Sequence, residues 1–344
     1  MKKAVSVIAV LVIVFSLVLP AAADTINLKG YSKILAYVKE NQPAELDIGS
    51  VRIKPTELLS VLEAMPEGGI LHFTTVWGGI KFSDTSEEID LRKISTGVSA
   101  ESLEAIVRLC PNVKKIDNTG KYAPTNDVMI PMTEKYPDIE FGWLIHLGGG
   151  HYCPSTATAY STLKIPGKGY DIKSSDLYAL KYAENLRALD LGHHKITDLS
   201  FLNDFPDLEL LIVACNSITD ITPIGNLKKL QYLEIFQNSG IVDLSPLASC
   251  TELIDLNISG TAVTDLSPLD GLSKLDRFWA NVCKQLPDDE KARFCELHPN
   301  CTTDFKGSHS TPNGWRQNHP RYKHYLWCFR NKTWIPFDQE LPKK

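Results

Sequence analysis

Nine histidines, eight cysteines and 41 acidic residues give this 344-residue sequence the raw material for metal, thiol and acid–base chemistry. Their spacing argues against each in turn. His146 and His151 flank Leu-Gly-Gly-Gly, and H-x4-H matches no tight metal spacing. His193 and His194 are adjacent, and His298, His309, His319 and His324 fall in no H-E-x-x-H or C-x-x-C frame. Gly148-Gly149-Gly150 lacks the Lys-Ser/Thr of a phosphate loop, and Ser161, Ser174 and Ser175 lack a G-x-S-x-G setting. No catalytic constellation emerges. The expectation is a protein that is not an enzyme and that holds no cofactor or metal.

The start of the chain carries a different signal. Met1-Lys2-Lys3 is basic, Ala4 to Leu19 is uncharged and mostly apolar, and Pro20 to Ala23 supplies an A-x-A pattern. This layout is that of a secretory signal peptide over 1–23, cut after Ala23. Sixteen residues fall short of the roughly twenty needed to span a bilayer. Removing the segment takes away two lysines and no acid, so the net charge moves from −5 to −7. A broadly basic nucleic-acid binder is excluded as the default. No second long apolar run follows, the first cysteine is Cys110, and the end Leu341-Pro342-Lys343-Lys344 lacks a sortase pattern. The expected location is secreted or at the extracellular surface, held non-covalently if at all.

Internal repetition sets the positions of the remaining residues. From Asn185 the text falls into rows whose first leucines are Leu186, Leu208, Leu230, Leu253 and Leu275, spaced 22, 22, 23 and 22 residues apart. A second column reads Leu189, Leu211, Leu233, Leu256, Phe278, and a third Leu191, Val213, Ile235, Ile258, Ala280. His194, Asn216, Asn238 and Thr261 follow, then Asp198, Asp220, Asp243 and Asp265. The L-x-L core alternates with period two, so each row contains one short strand with its leucines inward. His194, Asn216, Asn238 and Thr261 are expected to form a ladder that bonds buried backbone of adjacent turns. The aspartates suit caps of short helical turns, with Pro223, Pro246 and Pro268 near their starts.

These columns write L-x-x-L-x-L-x-x-N-x-[I/V]-x-D-[L/I]-x-x-[L/I]. The sequence resembles the internalin-like 22-residue class of secreted bacterial leucine-rich repeats. Tyr136–Trp143 and Ser310–Arg316 also resemble parts of secreted bacterial leucine-rich-repeat proteins of unassigned role. The resemblance implies architecture rather than chemistry: an α/β, right-handed solenoid with one short parallel strand per turn.

Regular repeats are expected over 184–283. Residues 24–183 read as divergent helix–strand repeats on the same axis, or as a separate α/β domain. Glu45–Ile48, Glu88–Leu91 and Lys115–Asp117 look like strands, and Thr56–Met65, Ala100–Cys110 and Asp127–Tyr136 like amphipathic helices. Residues 284–344 hold a last helix–strand turn and a C-terminal cap over the open end of the core. Cys110 and Cys250 occupy helix-end apolar positions. Cys301 and Cys328 are expected to pair once the cap folds.

The residues between the strand leucines face the concave side. Leu210, Ile212, Tyr232, Phe236, Arg277 and Trp279 then make an apolar–aromatic patch of the types enriched at binding hot spots. The expected function is recognition of another macromolecule, a protein, on this face. A wall-associated adhesion or structural module is the alternative, and a hydrolase or inhibitor with its site in 24–183 is a third. Ligand identity and oligomeric state stay open.

Overall fold

The computed structural model describes residues 24–25, 27–163, 169–308, 311 and 314–343. The expected signal segment and His309 lie outside them. The chain divides into two compact units, one of residues through Glu87 with Glu101–Val113, the other of Glu88–Ala100 with Lys114 onward.

The first unit holds β1 (Asp24–Thr25), α1 (Tyr31–Asn41), β2 (Glu45–Val51), α2 (Pro55–Glu63), β3 (Ile70–Trp77), β4 (Ile80–Ser83) and most of α3 (Ala100–Leu109). Strands β1, β2 and β3 run parallel, and β4 returns antiparallel to β3. The return is tight because Gly78 and Gly79 take φ of 54° and 86°, the left-handed pair a two-residue hairpin requires. Along β3, Leu71, Phe73, Thr75 and Trp77 are buried and the residues between them are not, the alternation of a half-covered strand. His72 lies on the other side of this strand. Its Nδ1 is 2.9 Å from Asp84 and its Nε2 3.0 Å from Glu45.

The second unit begins with β5 (Glu88–Asp90), β6 (Lys115–Asp117) and β7 (Glu140–Gly142), a parallel three-stranded sheet, with α4 (Asn126–Lys135) between the last two. An antiparallel pair follows, β8 (Leu144–His146) and β9 (Tyr152–Pro154). The strands before β10 therefore pair in separate sheets. The regular ladder opens at β10 (Ala159–Ser161), one strand ahead of the expected boundary at 184, and adds β11 (Ala188–Asp190), β12 (Leu210–Ile212), β13 (Tyr232–Glu234), β14 (Asp255–Asn257), β15 (Arg277–Trp279) and β16 (Thr302–Asp304). All seven strands are parallel and in register. Leu189, Leu211, Leu233, Leu256 and Phe278 stand opposite one another and are fully buried. This is a leucine-rich-repeat α/β solenoid.

The polar columns behave as their chemistry requires. Asn238 Nδ2 donates to the carbonyls of Val213 (3.0 Å) and Ile235 (2.9 Å), and its Oδ1 accepts from Ile218 N (3.1 Å). Asn216 repeats the pattern one turn earlier, on Leu191 O (2.9 Å) and Ile196 N (3.0 Å). His194 fills the same column with Nε2 on Thr162 Oγ1 (2.8 Å), and Thr261 donates to Ile258 O (2.8 Å). Burial holds the His194 imidazole well below its ordinary value, at about 4, so it bonds as the neutral ring. Asp198, Asp220, Asp243 and Asp265 each accept a backbone N–H two residues on, at 2.8 Å, where a short 3-10 turn starts. Cys110 and Cys250 are buried, which pushes their thiols up to about 12 and about 11.

Two outcomes follow. Asn238→Leu leaves one N–H and two carbonyls of adjacent turns without their partner and should destabilise the protein by about 1–3 kcal/mol, read from urea unfolding. The hydrogen bond to Asp84, then that to Glu45, raises the His72 pKa. The stabilisation is then complete below the unfolded imidazole value and is lost as pH rises through the higher folded one. His72→Gln should lower the melting temperature at about pH 5.5 more than at about pH 9. An equal loss at both would show that the ion pairs contribute nothing.

Candidate functional site

On a solenoid strand the side chains between the core leucines face the concave side. Leu210, Ile212, Tyr232, Phe236, Arg277 and Trp279 all stand there, and none is more than 4% exposed. The expectation of an open patch is therefore corrected. The chain's own C-terminal segment covers it. Trp315 packs against Trp279 and Tyr232 with ring centroids 5.2 and 5.6 Å away, and the Arg277 guanidinium lies 4.5 Å from the Trp315 ring. Helix α6 (Pro320–Asn331) places Tyr325 5.1 Å from Tyr232, and Phe337 follows at 6.2 Å.

The cap was also expected at the open end of the core. At that end stand the expected last helix–strand turn and the first residues after it. Phe294 of α5 (Asp288–Leu297) lies 4.6 Å from Phe278, and Phe305 lies 5.8 Å from Phe278. The aromatics of the later tail lie on the concave strands instead. The segment is held at its far end by Trp334, whose Nε1 donates to Glu209 (2.9 Å) and whose backbone N donates to Thr158 Oγ1 (2.6 Å).

Charge is neutralised in the same way. Glu234 and Asp255 are fully buried on the strands. Glu234 accepts from Trp315 Nε1 (2.9 Å) and from Nε and Nη2 of Arg316. Asp255 accepts from Nε and Nη2 of Arg277 (2.8 and 2.6 Å) and from Arg321 Nη2 (2.9 Å). Arg321 also pairs with Asp276. Arg277 Nη1 donates to the Trp315 carbonyl (2.8 Å). Burial, then the Glu234 charge, raises the hydroxyls of Tyr232 and Tyr325 well above their ordinary value, so both remain protonated.

The proposed Cys301–Cys328 bridge is not formed, and all eight cysteines are free. Cys328 is buried among the tail aromatics on the concave face. Cys301 sits beside β16, with its Sγ 3.8 Å from Thr302 O. Cys328 lies with the tail over the concave strands and Cys301 beside the last strand, so the fold does not bring the two together.

One part of the face is left unfilled. Between β10–β12 and α6 lies a cavity of about 540 Å³. It is lined by Ser161, Asp190 and Ile212 of the strands, by Arg316, and by Tyr322, Leu326, Phe329, Arg330 and Lys332 of α6 and its C-terminal end. Asp190 is buried, and its carboxylate accepts from Ser161 Oγ (2.8 Å) and Gly192 N (3.0 Å). Burial raises its pKa, opposed by Arg316. Sequence reasoning missed Asp190, Glu234, Asp255 and the tail residues that answer them. The available signal was the set of acids on concave positions set against Arg316, Arg321, Arg330 and Lys332 in the tail. Among the described residues, no group of three or more His, Cys, Asp or Glu could hold a metal ion.

A parallel ladder whose central strands recur every 22 or 23 residues, with polar side chains bonding adjacent turns, gives the chain a leucine-rich-repeat fold. No protein-family model matches it, and no curated relative does. Three solved structures with a similar fold illustrate the likeness. An internalin (InlF) from Listeria monocytogenes is 17% identical, over 80% of this chain and 70% of that one, with a TM-score of 0.37. A leucine-rich-repeat protein of Leptospira interrogans is 18% identical over 76% and 71%, with a TM-score of 0.42. Internalin C2 of Listeria monocytogenes is 23% identical over 48% and 81%, with a TM-score of 0.33.

Trp279→Ala empties a buried site under Trp315 and should cost about 3–5 kcal/mol in a denaturant titration. An unchanged midpoint would mean the tail does not occupy the face in solution.

Proposed function

We propose that this protein is a secreted, non-enzymatic recognition module that binds a partner protein on its concave side, at the opening beside α6. One observation carries the reading. The concave strands already hold a protein segment, the chain's own tail, by burying tryptophan and tyrosine rings and pairing guanidinium groups with strand carboxylates. These are the side-chain types that dominate protein–protein hot spots. The cavity of about 540 Å³ continues that surface where the tail stops filling it.

Export is supported by the basic, apolar and small-residue order of residues 1–23. Among the described residues, no helix is long and apolar enough to cross a membrane. A non-catalytic role agrees with the lack of nucleophile and phosphate-loop motifs in the sequence.

The exported protein should begin at Asp24 by intact-mass measurement, and material starting at Met1 would refute export by cleavage. Arg330 and Lys332 line the cavity and are exposed, so reversing both charges leaves the core untouched. Capture experiments with the Asp24–Lys344 chain should enrich a protein that the Arg330→Glu, Lys332→Glu variant loses by about tenfold or more. Equal capture by both chains would place recognition elsewhere.

A further inference from the structure

Three carboxylates on the concave strands are buried: Asp190, Glu234 and Asp255. A carboxylate removed from water needs a cation or dense hydrogen bonding to remain ionised. For Glu234 the tail supplies Arg316. For Asp255 the strand supplies Arg277 and the tail Arg321. Asp190 differs: among the described residues it has no ion-pair partner, only the Ser161 hydroxyl and the Gly192 N–H. Arg316, the nearest guanidinium by its electrostatic effect, is committed to Glu234 through two nitrogens.

Where the other two acids are paired with an arginine, Asp190 meets the cavity, which Arg316 also lines while paired with Glu234. The walls suit an arginine side chain. Ile212 and Leu326 can pack along an aliphatic stem, and the Tyr322 and Phe329 rings can face a delocalised cation. At the rim, Arg330 and Lys332 carry no ion pair among the described residues. They would repel a purely cationic ligand and accept one that also carries an acid.

We propose that the cavity is a receptor site for an arginine side chain of a partner protein, its guanidinium on Asp190 and a neighbouring acidic residue on Arg330 and Lys332. The proposal rests on the reading of this opening as the partner site and specifies its ligand. The bidentate fork of a guanidinium matches the pattern the same face uses at Asp255.

The probes are two capped dipeptides, acetyl-Arg-Glu-amide and its citrulline counterpart, in which the guanidinium becomes a neutral urea of nearly the same shape. Calorimetric titration into the Asp24–Lys344 chain should show saturable binding of the arginine peptide, about tenfold or more weaker for citrulline. Asp190→Asn keeps the shape of the floor and should abolish the preference for arginine. Its melting temperature should not fall, since a buried unpaired charge is removed. Replacing glutamate by glutamine in the peptide should weaken binding to the native chain but not to Arg330→Gln, Lys332→Gln. A lysine peptide binding as tightly as arginine would overturn the guanidinium assignment. Equal binding of citrulline, retained preference in Asp190→Asn, or no saturable heat at millimolar peptide would overturn the site. If rim charge reversal abolishes partner capture while Asp190→Asn leaves it intact, the arginine proposal fails and the broader reading stands.

Discussion

The organisation of this molecule depends on how it neutralises carboxylates placed inside it. Glu234 and Asp255 stand on strands whose concave side is covered by protein, where an isolated charge would be strongly disfavoured. The guanidinium groups of Arg316, Arg277 and Arg321 make that burial tolerable, and two of the three come from the tail. The aromatic packing then fixes the tail's direction. Trp315 sits against Trp279 and Tyr232 while its chain neighbour Arg316 reaches Glu234, so the two contacts favour the same placement of the tail. Apolar burial supplies the driving force and ion pairing sets the register, a division in which pairing acts more on specificity than on net stability.

The solenoid was legible in the sequence because its determinants are local. A strand of period two, a polar side chain three residues past it and an aspartate before a short 3-10 turn recur every 22 or 23 residues, so Leu233, Asn238 and Asp243 can be placed without knowing any distant part of the chain. The same holds for α2, α3 and α4, whose apolar spacing reads directly. The tail resisted reading because its partners are remote. Arg316 and Glu234 lie 82 residues apart, and no periodicity joins them. Trp279 illustrates the error. It breaks its column of Asp190, Ile212, Glu234 and Asn257, which marks it as unusual, but that oddity is equally served by an external protein and by Trp315. The cavity was beyond reach for another reason: it is a volume left over by packing, not a property of any residue.

The bonds from Trp334 to Thr158 and from Thr158 to the Lys332 carbonyl change what kind of polymer this is. In an open solenoid each turn touches its neighbours, contacts are short in sequence, and folding can start anywhere and fray from either end. Here residues 176 positions apart clamp the first ladder turn to the segment that follows the last helix. Contact order rises, and terminal turns lose the freedom to open alone. During synthesis the concave aromatic surface is complete once β15 has formed, yet it stays bare until Trp315 and α6 have left the ribosome. For that interval the nascent chain presents an adhesive apolar strip. The closure that makes the finished molecule cooperative therefore also sets a delay in its biogenesis, when the strip has most need of protection.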